Sequence, residues 1–83
     1  MIFAENAELN TPYMLIINDN CIYKVIVKYI NKAEDNKGNT TVLGVGVQDE
    51  REPNKTSIIS GGSPLNEWDE ELYNKAKLRR KKL

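Results

Sequence analysis

Histidine is absent from this sequence, and cysteine occurs once, at position 21. Without histidine the chain lacks the side chain that titrates near neutral pH and performs most enzymatic proton transfer. A Ser-His-Asp or Cys-His site within one chain is therefore excluded. A lone cysteine cannot form an intrachain disulfide. With no histidine beside it, a zinc or iron–sulfur site lacks its usual ligands. Cys21 follows Asp19, an acidic neighbour that discourages the thiolate, so it reads as a structural residue. We expect no catalytic residues, no metal and no cofactor.

Long apolar runs are also missing. The longest, Tyr13 to Ile17 and Val25 to Val27, are far too short to span a bilayer, so no membrane partner is expected. Glu5 and Glu8 stand where the basic region of a signal peptide would lie, and no apolar core of such a peptide follows. The expected location is the cytoplasm. An 83-residue chain amounts to one domain, here residues 1–83. A domain of that size buries only a little over ~60% of the surface of its unfolded chain, so a partner subunit or target protein is the expected source of further burial.

Charge is balanced overall, with twelve basic and twelve acidic residues, but unevenly spread. Residues 75–83 carry six basic groups and no acidic one, leaving a body of net −6. This polarity singles out the basic tail, which reads as a frayed helical end.

Apolar alternation marks the strands. Residues 13–18 read as a strand, with a turn at Asn18-Asp19-Asn20 whose residues tolerate left-handed backbone angles. Residues 21–31 are the clearest strand. Cys21, Tyr23, Val25, Val27 and Tyr29 share a face expected in the core. Ile22, Lys24, Ile26, Lys28 and Ile30 share the other. Residues 40–48 follow, with Leu43, Val45 and Val47 on one face and Val42, Gly44 and Gly46 on the other. Two glycines there point to close packing of another element or to a bend. Residues 56–60 form a short fourth strand, and Gly61-Gly62 releases the chain from the sheet. Ile2-Phe3 is open between an edge strand and a hydrophobic plug.

The helix is expected to begin at Ser63 as N-cap and Pro64 as first residue. Its stripe would be Leu65, Trp68, Leu72 and Ala76. Acidic residues near its start and basic residues near its end match the helix dipole. The expected fold is α+β: a small antiparallel meander of about four strands packed by one C-terminal amphipathic helix.

The carboxylate clusters Asp49-Glu50-Glu52 and Glu67-Asp69-Glu70-Glu71 are explained by a solvated turn and by the helix dipole. Ser60-Gly61-Gly62-Ser63 reads as a junction rather than an anion cradle, because Pro64 removes a donor and acidic residues crowd the site. Ile22, Ile26 and Ile30 form a second apolar row that one helix cannot also cover. That row and Trp68 are the candidate protein-interaction residues.

The leading expectation is thus a non-catalytic protein that binds another protein or assembles with itself, as a homodimer for example. Its short, asparagine- and lysine-rich composition would suit a phage or mobile-element protein acting as an inhibitor or modulator in a host cytoplasm. The alternative is a nucleic-acid accessory protein contacting phosphates through Lys75, Lys77, Arg79, Arg80, Lys81 and Lys82.

Overall fold

A computed structural model describes residues 1–81. Alternation of apolar and polar residues builds six strands rather than four. They are β1 (Ile2–Phe3), β2 (Pro12–Asn18), β3 (Cys21–Glu34), β4 (Thr40–Asp49), β5 (Ser57–Ile59) and β6 (Pro64–Glu67), followed by one helix, α1 (Glu70–Lys81). The sheet order is β1-β6-β2-β3-β4-β5, with every neighbouring pair antiparallel. The α+β class, the antiparallel sheet and the single C-terminal helix agree with the sequence reading. The simple meander does not, because β6 inserts between β1 and β2.

One face of the sheet is concave. Tyr13, Val25, Val27, Val45, Val47 and Leu65 are buried together there with Ala4 and Ala7, flanked by Ile2, Leu15, Ile30, Val42 and Ile59. All six strands feed this cluster because the sheet curls. At the 3₁₀ turn Ala4–Asn6 the Ala4 N–H continues the β1–β6 ladder by donating to the Ser63 carbonyl at 2.9 Å, and the Glu5 N–H donates at 3.0 Å to the carbonyl of Gly61, in the β5–β6 link beside Val42 of β4. These bonds satisfy backbone groups at the point where the curl nearly closes.

Pro64 begins β6 and not the helix. A proline is tolerated as the first residue of a strand, and here Leu65 pairs with Ile2 and is fully buried in the main core. Burial of that side chain outweighs the local helix-start signals, which carry only modest free energy. The cap is Asp69 instead, whose Oδ1 accepts from the Leu72 N–H at 3.2 Å, three residues on. Leu65 and Trp68 therefore precede the helix. Leu72 is exposed, and Tyr73 and Ala76 supply the buried stripe.

Bulges reset the strand faces. Lys28 is an extra residue in β3, between the pairs Val27↔Val47 and Tyr29↔Gly46. Leu43 is an extra residue in β4, between Asn31↔Gly44 and Lys32↔Val42. A one-residue slip flips the alternation. Ile30 consequently joins the inner core while Tyr29 turns outward, and Val42 rather than Leu43 packs inside. A third bulge, at Ile17, lies beside the β2–β3 turn. Neither Asp19 nor Asn20 has a positive φ; the turn is held by the Asn20 N–H donating to Asn18 Oδ1 at 2.8 Å.

Candidate functional site: the outer face of the sheet

The outer face has two halves. Over β2 and β3, Met14 and Ile22 are buried beneath Tyr73 and Ala76 of α1, with Trp68 against them. Trp68 is half-buried, its ring centroid 4.8 Å from that of Tyr73. The Tyr73 hydroxyl donates to Glu50 Oε2, tying the helix to the end of β4. Burial and this carboxylate acceptor push the phenol up from its ordinary 10.0 to about 12.

Over β4 and β5 no described element covers the sheet. Gly46 stands between Tyr29 of β3 and Ile58 of β5, directly paired with both. The Tyr29 ring lies across Gly46, in the space a Cβ would fill, and a Cβ on Gly44 would meet Ile58 Cγ2 at 2.8 Å. The glycine pair thus forms a floor for two of the chain's own side chains, not for the helix. Both remain open to solvent, Tyr29 at 45% and Ile58 at 62% exposure, and Leu43 is exposed at the neighbouring bulge. Such a floor lowers two apolar groups onto the sheet while leaving their outer surfaces bare.

The proposed isoleucine row does not form one surface. Ile22 is buried under the helix. Ile26, half-buried, lines a hollow of about 130 Å³ with Lys24, Gln48 and Pro53, next to the open half. Ile30 points into the core after the Lys28 bulge. Tyr29, which alternation places on the core face, is exposed instead, and so is Ile58, which alternation does not assign to a face. The Gly44-Val45-Gly46 spacing was the signal that something packs there.

The concave face opens at one end into a cup of about 320 Å³, with Leu15, Val25, Val47, Ile59 and Leu65 as its apolar walls. Asp49 and Arg51 stand at its rim. Arg51 Nη2 meets Asp49 Oδ2 at 2.6 Å and its Nε lies 3.1 Å from both carboxylate oxygens. Those bonds hold the Asp49 carboxyl below the usual carboxylate range. The guanidinium also lies 4.1 Å from the Tyr23 ring centre, and that of Arg80 lies 5.1 Å from it. Asp49 and Arg51 are thus engaged with each other, and Glu52, which also lines the cup, pairs with Lys55 at 3.2 Å. Cys21 is half-buried, its thiol 3.2 Å from the Tyr23 hydroxyl.

The basic residues of the helix are dispersed among intramolecular contacts. Lys75 pairs with Glu71 at 3.2 Å, one turn earlier. Lys77 lies 5.6 Å from the Tyr73 ring centre. Arg79 donates to the Asp19 carbonyl at 3.2 Å, and Arg80 covers Tyr23. Lys81 is the last helical residue, and Lys82 lies outside the described residues. Among the described residues no three His, Cys, Asp or Glu side chains cluster closely enough to hold a metal ion, and no helix is long and apolar enough to cross a membrane. Comparison of the chain with protein-family models, with curated proteins and with solved structures finds no match in any of the three.

Proposed function

We propose that this protein acts by binding another protein through the open half of its outer sheet face, without a catalytic step of its own. The observation that carries this reading is the Tyr29–Gly46–Ile58 row. Two large apolar side chains lie side by side on a glycine floor, exposed. A rigid aromatic beside a branched aliphatic group is the kind of anchor pair found at the centre of protein interfaces. Ile26 borders the row and extends it toward the hollow beside Pro53. The basic helix residues support a nucleic-acid role less well, because each of Lys75, Lys77, Arg79 and Arg80 has a contact within the chain.

A photo-crosslinking residue at position 58, compared with one at position 78, tests this in the native cell. Both positions are exposed to a similar degree, 62% and 59%, but on different surfaces. A discrete adduct from position 58 and none from position 78 is expected. Equal adducts from both, or none from position 58, would refute the reading.

A further inference from the structure

The β3–β4 hairpin outruns its neighbours. β2 pairs with β3 only as far as Ile26, and β5 pairs with β4 only from Val45 to Val47. Beyond Val27, whose carbonyl accepts from the Asn10 N–H at 2.8 Å, β3 has no strand on its second side among the described residues. Residues 31–41 are all exposed, and the molecule reaches 54 Å along its longest axis against 26 and 19 Å across. The result is a two-stranded ribbon with a free edge running from Lys28 to Glu34.

A free edge invites pairing with another strand, and proteins commonly defend it with lysines and bulges. Lys28, Lys32 and the bulge at Lys28 serve that defence here against an arbitrary strand. Against a copy of itself the charges cease to oppose pairing in one register. In an antiparallel, two-fold pairing centred on Asn31, Lys28 of each chain lies opposite Glu34 of the other. Tyr29 then lies opposite Ala33, and Ile30 opposite Lys32. Centring the pair on Ile30 sets Lys28 against Lys32, and centring it on Lys32 sets that lysine against itself. Opposite charges directly across an antiparallel pair stabilise it and like charges oppose it. A pair centred on Ala33 also sets Lys32 against Glu34 but engages only the last three residues of the strand, so the Asn31-centred register is the one that matches charge along the whole edge. Symmetry makes both ion pairs form together.

We propose that two copies of this chain associate through the Lys28–Glu34 edge of β3, antiparallel about Asn31, joining their sheets into one. The edge shares Tyr29 with the outer-face row, but strand pairing uses its backbone, and variants at Lys28 and Glu34 leave the Tyr29 and Ile58 side chains in place, so a failure of one interaction is distinguishable from a failure of the other. Sedimentation equilibrium from micromolar to millimolar concentration, on the wild type and on Lys28→Glu, Glu34→Lys and the double variant, tests it. The wild type should dimerise. Each single reversal should raise the dissociation constant at least about tenfold, since it sets like charges opposite one another twice. The double variant should return to within about threefold of the wild type, as expected for a coupled pair. Both side chains are exposed, and circular dichroism checks that each variant is folded. Three results would overturn the proposal: a wild type that stays monomeric throughout, a dimer indifferent to both reversals, or single-variant losses that the double variant does not rescue.

Discussion

Over β2 and the first part of β3 the outer face carries Met14 and Ile22 beneath a helix, whereas over β4 and β5 it carries the Tyr29 ring, reaching from β3, and Ile58 on a floor of glycine with nothing described above them. The two halves belong to one sheet and arise from the same alternation of residues. What separates them is the reach of α1. Its buried stripe amounts to Tyr73 and Ala76, enough to cover two strands and no more. An apolar row is core where the chain supplies its own cover; where it does not, the row is the surface we propose for binding. The structural test of each half is therefore opposite in kind: truncation in the covered half should cost folding, and truncation in the open half should cost binding.

The largest effect is expected in the covered half. Ile22→Ala removes a side chain that is 1% exposed and should lower stability by ~2–5 kcal/mol in a urea melt. A loss much below that range would mean that the helix does not hold this half shut. Next is Gly46→Val in the open half. The added side chain would occupy the place of the Tyr29 ring, at an expected cost of ~1–3 kcal/mol from overpacking. A neutral result would show that the ring leaves its floor freely.

Tyr73→Phe tests the bond between helix and sheet, with an expected cost of ~1 kcal/mol at neutral pH. The fold holds the un-ionised phenol, so its contribution is complete below pH 10 and is lost as the pH rises toward about 12. In an ultraviolet titration Tyr73 should ionise late, and the Phe variant should lack that late step. The smallest effect on stability is expected for Ile58→Ser. Its side chain is mostly in water already, so the change should stay within ~0.5 kcal/mol.

The strands 13–18, 21–31 and 40–48 were legible because their alternation is long and strong. The sequence also made the helix's existence clear, along with its Glu71–Lys75 pair. Its start is not legible, because Ser63-Pro64 imitates a cap and only the burial of Leu65 against Ile2 shows that this segment pairs as a strand. Bulges at Lys28 and Leu43 could not be read from alternation, which is blind to a residue inserted in one strand of a pair. For that reason Tyr29 was assigned to the core and Ile30 to the surface, the reverse of what the register dictates. Of the candidate site, the sequence reading reached Ile26 at the margin and the glycine pair at the centre. Ile58 lay in a strand too short to show a face.

The most direct test of the central claim is quantitative affinity capture from the native cell with three forms of the protein: wild type, Ile58→Ser, and Leu78→Ser on the helix. All three should be equally folded. A partner protein retained by the wild type and by Leu78→Ser, and lost with Ile58→Ser, is the expected result. Equal retention by all three, or no stoichiometric partner on the wild type, would contradict a binding role for the open face.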